Sequence, residues 1–329
     1  MAATYGLEVV AIWPLAAINV VCYVFQAPDA EGVAELLEAA VQDPRIITAS
    51  QVMVFAPLNA VYSDDLVQQQ HALEDLSAIT AHAVSTGADI KVALIDSGAA
   101  IDHSDLSNQD VTFRDFIRPQ SKDVIGEPHG TAMAALIAAN AQNASGMVGV
   151  APDVELLALR ACWQDKGDVE ICNSFSLARA LNVAIRAEAD IINMSLGGPK
   201  DPLIALLVEQ ALREDIVVVA GYGGNSGPLF PASHRGVLSA SSTNLPVGKV
   251  LAPGQEVLSA KPGGNYDFFS GDSVASAHVT GVVALLLSLR QDQTARSNNA
   301  FVADLFDQIE GIGINACVLI SLAFEASSC

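Results

Sequence analysis

The sequence predicts an α/β protein, a mostly parallel sheet flanked by helices, preceded by a small α+β unit. Three observations lead there. From about residue 90, short apolar strands alternate with amphipathic or apolar helices, the pattern of βαβ units. The chain of 329 residues is 51% hydrophobic, 5% aromatic and 16% charged. That mix suits close-packed Ala/Val-rich helices on a sheet buried on both faces. The first sixty residues lack the alternation.

In the N-terminal part, NVVCYVFQA has strand-like composition around 20–27. AEGVAELLEAAVQ (30–42) is an amphipathic helix with Asp29 as a cap, and RIITASQVMVF (45–55) is a second strand. Residues 9–28 are uncharged, but Pro14 and Asn19 interrupt them and no basic segment precedes them. They predict a folded domain, neither a membrane span nor a signal peptide. The polar, turn-prone APLNAVYSDDLVQQQ (56–70) predicts a linker. The expected organisation is a small domain over 1–60, a linker over 61–75 and a larger domain over 76–329.

In that larger domain the strand candidates are KVALID (91–96), ELLALRAC (155–162), DIINMSL (190–196), IVVVAGY (216–222) and VLSASS (237–242). Helices are expected at 129–141, 176–188 and 202–214, and a closing helix and strand in the tail 291–329.

A net charge of −21 argues against a nucleic-acid partner, because phosphate backbones need basic surface. Of five cysteines, none forms a CxxC pair, which argues against zinc. Cys162 and Cys172 flank the polar WQDKGDVEI, and Cys317 and Cys329 stand near the C-terminus. Each pair is either a disulfide, as in exported proteins, or two buried thiols.

Three polar residues stand where open α/β sheets gather functional side chains. Asp96 ends the strand KVALID, His129 precedes the helix GTAMAALIAA, and Ser273 opens the apolar helix SVASAHVTGVVALLLSL. Singly, each is explained as a turn residue, a loop residue and a helix cap. Together, in the order Asp, His, Ser, they supply a nucleophile, a base and an orienting carboxylate.

The motifs around them resemble the subtilisin-like serine proteases. VALIDSG (92–98) with IDHSDL (101–106) resembles the aspartate motif, and EPHGTAMAALIAA (127–139) with GMVGVAPDVELLALRA (146–161) the histidine motif. NMSLGGP (193–199) resembles the substrate-binding strand, VVVAGYGGNSGPLFPAS (217–233) the oxyanion segment, and SGDSVASAHVTG (270–281) the serine motif. The resemblance spans roughly 64–290.

It implies Ser273 as nucleophile, His129 as general base and acid, Asp96 as orienting carboxylate and Asn225 as oxyanion donor. Ser195, Leu196, Gly197 and Gly198, with Ala220 and Gly221, would wall the primary specificity pocket and bind polypeptide as an added strand. It further implies a self-processing zymogen whose N-terminal domain is a propeptide of ferredoxin-like fold and intramolecular inhibitor. The chemistry would need no cofactor, structural calcium is frequent in the family, and its ligands are unknown from sequence. The expected location is secreted or periplasmic, with the signal already removed. Asp272 stands where the family has threonine, and Ala277 where it has proline. Pointing inward, Asp272 would raise the His129 pKa or oppose an oxyanion, which keeps a catalytically impaired binding or chaperone module as the alternative. His278 reads as a packing residue, and His71, His82, His103 and His234 as structural ones.

Overall fold

The structure, a computed structural model, describes residues 7–18, 20–26, 32–50, 62–118, 126–141, 143–165, 170–223, 227–243, 250–290, 297–309, 312–324 and 329. The chain forms two compact units, Met1–Pro57 and Leu58–Cys329.

In the first unit, β1 (Glu8–Leu15) and β2 (Val20–Gln26) form an antiparallel hairpin, followed by the helix Val33–Val41. β1 was not expected from the sequence. It is exposed along its whole length and presents Val9, Val10, Ile12, Trp13 and Leu15. The strand expected over 45–55 is absent from the described part, 45–50, where Pro44 and a turn at Pro44–Arg45 interrupt extension. Residues 51–55 and Asp29 lie outside the described residues.

In the second unit, seven parallel strands form one sheet. In chain order they are β3 (Lys91–Asp96), β4 (Val111–Asp115), β5 (Glu155–Arg160), β8 (Ile191–Met194), β9 (Val217–Gly221), β10 (Leu238–Ser241) and β11 (Val250–Leu251), and their spatial order is β11-β10-β9-β8-β3-β5-β4. Two antiparallel ladders lie outside it: β6 (Cys162–Gln164) with β7 (Glu170–Cys172), and β12 (Val257–Lys261) with β13 (Asn265–Phe269).

Alternation along each strand divides the core between the two faces. Val92 and Leu94 pack on one side with the helices Pro128–Ala138 and Asp272–Ser288. Ala93 and Ile95 pack on the other with Ser174–Arg186 and Pro202–Arg213. Both faces being covered explains why the strands read as continuous apolar runs. The helix Asp272–Ser288 is buried from Val274 to Leu287, so it runs through the interior and has no polar face.

β3 has β8 on one side and β5 on the other. The chain winds from β3 toward β4 and β5, then crosses to β8. This reversal opens a crevice beyond the carboxyl ends of β3 and β8, where parallel α/β sheets place their sites. The tail differs from expectation: it forms two helices, Asn298–Gln308 and Ala316–Phe324. Its only strand-like feature among the described residues is a bridge from Gly313 to Leu251. Leu305, Phe306, Leu319 and Ile320 bury against the core, so helical packing outweighs the β-branched content of that segment.

Candidate active site

Asp96, His129 and Ser273 line one cleft of about 1000 Å³. Asp96 is the last residue of β3 and is buried. Its Oδ1 accepts the Ser97 amide at 2.7 Å and faces His129 Nδ1 at 2.7 Å. With Nδ1–H as donor, Nε2 is left as the basic lone pair.

His129 is held at the start of its helix by a close approach. Gly130 donates its amide to Ser97 Oγ at 3.0 Å. A Cβ there would stand 2.4 Å from the Ser97 carbonyl oxygen, so only glycine lets the helix come this near. Burial disfavours a charged His129 ring, but the Asp96 charge and hydrogen bond, with Glu170, outweigh it and raise its pKa to about 9.

Ser273 lies in the first turn of its helix and donates its hydroxyl to the Ser195 carbonyl at 3.1 Å. Among the described residues it makes no hydrogen bond to His129. A buried polar chain fixes the helix against the sheet. Asn193 Nδ2 donates to Thr280 Oγ1 at 2.8 Å, Ser195 Oγ lies 2.8 Å from both Asn193 Oδ1 and Ser276 Oγ, and Ser276 Oγ donates to the Ser273 carbonyl at 2.8 Å. The Ser195 side chain therefore supports Ser273 from within.

Of the expected pocket residues, Ser195, Leu196, Gly197, Gly198 and Gly221 line the cleft, and Ala220 is fully buried in β9. Asn225 lies outside the described residues. Asp272 turns to the pocket wall: Oδ2 accepts the Gly223 amide at 3.1 Å, and Oδ1 accepts the Ser242 amide at 2.8 Å and its hydroxyl at 3.0 Å. Ala277 is fully buried on the helix Asp272–Ser288.

Sequence reading missed two groups. Glu127, ahead of His129, accepts the Gly98 amide at 2.8 Å and Arg160 Nε at 2.8 Å, and Arg160 reaches Asp115 at 3.1 Å. Burial acts to raise the Glu127 pKa, but Arg160 and the Gln164 and Gly98 amides hold it below the ordinary value. This pair locks the strand end carrying Asp96 to the helix start carrying His129. The second group is Glu170, whose Oε2 stands 3.3 Å from His129 Nδ1. The acidic residue ahead of HG was visible in the motif, whereas nothing local marks Glu170.

The structure pairs Cys162 with Cys172 and Cys317 with Cys329, leaving Cys22 free and exposed. His278 is buried and hydrogen-bonded to the Pro253 carbonyl at 2.8 Å, and its pKa falls to about 4 because burial disfavours the charged ring. His82 lies 2.9 Å from both the Tyr62 hydroxyl and the Val150 carbonyl, and His103 3.3 Å from the Asn265 carbonyl.

Two places have metal-compatible donors. Asp96, His129 and Glu170 bring ligand atoms within 4.8 Å of one another, but the Asp96–Nδ1 hydrogen bond occupies that space. The other is Asp64, which is buried and neither of whose oxygens accepts a hydrogen bond. The nearby Ser145 amide donates to Asn143 Oδ1 at 3.0 Å. Burial raises the Asp64 pKa, the Ser145 and Asp64 amides act against it, and the Asp105 charge adds to the rise.

Comparison with known proteins agrees with this geometry. Residues 87–305 match the model of the subtilase family. The chain is 31% identical over 259 residues to thermitase of Thermoactinomyces vulgaris, covering 74% of this chain and 91% of that protein. It is 32% identical over 234 residues to the major intracellular serine protease of Bacillus subtilis (strain 168), covering 64% and 72%. Subtilisin DY of Bacillus licheniformis is 35% identical over 220 residues, covering 61% and 78%. The solved structure of the prenylagaramide maturation protease PagA superposes with a TM-score of 0.62 at 25% identity, covering 74% of this chain and 96% of that one. With its parallel sheet and these relatives, the chain belongs to the subtilase family and is a serine protease of subtilisin type.

Proposed function

We propose that the protein is an endopeptidase that cleaves polypeptides through Ser273, His129 and Asp96 and is made as a self-processing zymogen. The observation that carries the catalytic reading is the 2.7 Å contact from His129 Nδ1 to Asp96, with Ser273 on the same cleft. Rotation of Ser273 about its Cα–Cβ bond turns the hydroxyl from the Ser195 carbonyl toward Nε2, and such contacts tighten when substrate binds.

Nε2 takes the Oγ proton as Oγ bonds to the scissile carbonyl carbon, and the carbonyl π pair moves onto oxygen. The oxyanion is received by the amides at the helix start and by Asn225. Collapse re-forms the carbonyl and expels the amine, which takes the proton from Nε2. Water then repeats the sequence on the acyl-enzyme. The engagement of Asp272 with Gly223 and Ser242 weighs against a binding or chaperone module.

Residues 1–60 act as an inhibitory propeptide, removed by cleavage in the linker. The exposed apolar side chains of β1 are of the kind a docked inhibitor would cover. Substrates are polypeptides, bound as an added strand along Ser195–Gly198. The two disulfides favour an exported protein, and among the described residues no helix is long and apolar enough to cross a membrane. Catalysis requires no cofactor. Asp64 and Asp105 would hold a structural calcium, whose hard-cation chemistry suits carboxylate oxygens.

Intact mass of wild type beside Ser273→Ala tests the proposal. Cleavage of wild type within 57–70, with the variant whole and unlabelled by a fluorophosphonate, is expected. Two whole chains without casein hydrolysis would overturn it.

A further inference from the structure

Glu170 stands outside the three residues assigned to the chemistry, yet it faces the same nitrogen as Asp96. Its Oε2 is 3.3 Å from His129 Nδ1, where Asp96 Oδ1 stands at 2.7 Å. Its Oε1 is buried and accepts no hydrogen bond. A carboxylate placed half-buried beside a buried aspartate is unfavourable by itself. Burial first, and then the Asp96 charge, raise the Glu170 pKa, while His129 and the Ser97 hydroxyl draw it back. Packing alone would be served better by a neutral side chain.

The local scaffold fixes where this carboxylate goes. Glu170 begins β7, opposite Gln164 of β6, and two residues on Cys172 faces Cys162, to which it is bonded. The Gln164 amide donates to Glu127 Oε1 at 2.9 Å. The ladder is thus tied at one end by the disulfide and at the other to the Glu127–Arg160 pair beside His129. Such second contacts are how a catalytic group is held to its working geometry.

We propose that Glu170 is a positioning residue of the protease: beside Asp96 it places a second negative charge against Nδ1 of His129 and supports the imidazolium formed when Ser273 gives up its proton, while the Cys162–Cys172 bridge keeps it within reach. Glu170 takes no proton from substrate. Its negative charge stabilises the cation at Nδ1, and Nε2 alone exchanges protons with Ser273 and the leaving amine. The charged groups facing the ring are Asp96 from β3, Glu170 from β7 and, one layer out, Glu127 paired with Arg160. Glu127 is already neutralised by that pairing, so Glu170 is the second charge the ring responds to.

The inference rests on the assignment of Ser273, His129 and Asp96. The same two charges that stabilise the transition-state cation also stabilise the protonated free enzyme, which is inactive. Glu170 therefore moves the acid limb of kcat/KM upward in pH. Glu170→Gln keeps the shape and removes the charge. Its acid limb is expected about one pH unit lower or more. At neutral pH the lower kcat offsets most of that gain, so kcat/KM rises by about threefold or less. Above the wild-type limb, kcat falls about three- to tenfold with KM unchanged, because a stabiliser of the imidazolium is gone. Glu170→Asp, with a shorter arm, is expected in between, and paired Cys162→Ser and Cys172→Ser substitutions move the limb the same way.

An NMR titration of the His129 ring separates this idea from the protease assignment. It is done in Ser273→Ala, with and without Glu170→Gln, and needs no turnover. A lower ring pKa in the double variant supports the proposal even if wild type is not labelled by a fluorophosphonate. A ring pKa, and an acid limb, within about 0.2 unit of the Glu170-containing protein would overturn it, whatever the activity.

Discussion

Asp272, the residue before Ser273, accepts the Gly223 amide proton through Oδ2 at 3.1 Å. Its other oxygen takes the amide and hydroxyl of Ser242. One carboxylate therefore joins the start of the helix Asp272–Ser288 to β9's exit and to the loop after β10. The feature that cast doubt on activity from sequence alone is a strut of the pocket wall.

Replacing it should weaken substrate binding. Hydrogen bonds to a carboxylate contribute about 1.5–3 kcal/mol. Asp272→Ala is expected to lower kcat/KM by about ten- to a hundredfold, mainly through KM, while Asp272→Asn retains part of that. Kinetics on a peptide anilide decide it. An Asp272→Ala enzyme as fast as wild type or faster would show the carboxylate to be neutral or harmful.

The contrast between Asp272 and Ser273 also marks how far sequence could reach. That Ser273, His129 and Asp96 meet at one cleft was legible because each sits beside a local signal, a strand end or a helix start, and because the surrounding motifs agree. The direction of Asp272 was not, since it depends on Gly223 and Ser242, far along the chain. Glu170 and the Glu127–Arg160 pair were hidden for the same reason: their partners meet only when β3, β5 and β7 assemble. The β12–β13 hairpin did have a signal. Gly263 and Gly264 turn it at φ +84° and +75°, and the sequence KPGGN announces such a turn. The tail misled through its β-branched residues, because burial against Leu76 and the nucleophile helix decides its state.

Two histidines should bound the stability of the fold on opposite sides. His129 is raised from 6.5 to about 9 in the folded chain, so its contribution is present below pH 6.5 and is lost as pH rises through 9. His278 is lowered from 6.5 to about 4, so its contribution is present above pH 6.5 and is lost as pH falls toward 4. Each is on the order of 3 kcal/mol at its limit. The thermal midpoint of Ser273→Ala, which cannot digest itself, should therefore peak near pH 6.5. His129→Gln should remove the alkaline decline and leave the acid one. An alkaline decline that persists in His129→Gln would place its cause elsewhere.

The Cys317–Cys329 bridge closes the last helix. Its sequence separation is 12, for which loop entropy predicts about 3 kcal/mol. The helix Ala316–Phe324 packs Ala316, Leu319 and Ile320 into the main core, so loosening it should be felt globally. Paired serine substitutions are expected to lower the unfolding free energy of Ser273→Ala in urea by that amount, and its urea midpoint accordingly. The catalytic cleft does not include these residues, and kcat of the active protein should stay within about twofold. An unchanged urea midpoint would mean that packing holds the tail without the bridge.

Asp64 gives the last prediction, because its buried oxygens accept no hydrogen bond. Its carboxylate lies near Asp105, whose Oδ2 takes the Met147 amide at 3.1 Å and the Tyr266 hydroxyl at 2.9 Å. Burial and the Asp105 charge both push Asp64 toward its protonated form. A bound calcium would reverse that balance by supplying the missing partner. Binding to the folded state alone stabilises by about 2.7 kcal/mol at a hundred times Kd. The thermal midpoint of Ser273→Ala should therefore rise with added calcium and fall with EGTA. Asp64→Asn should abolish the difference and melt no lower than the chelated parent, since it relieves the repulsion from Asp105. Equal midpoints in calcium and EGTA would show that Asp64 is satisfied by protonation instead.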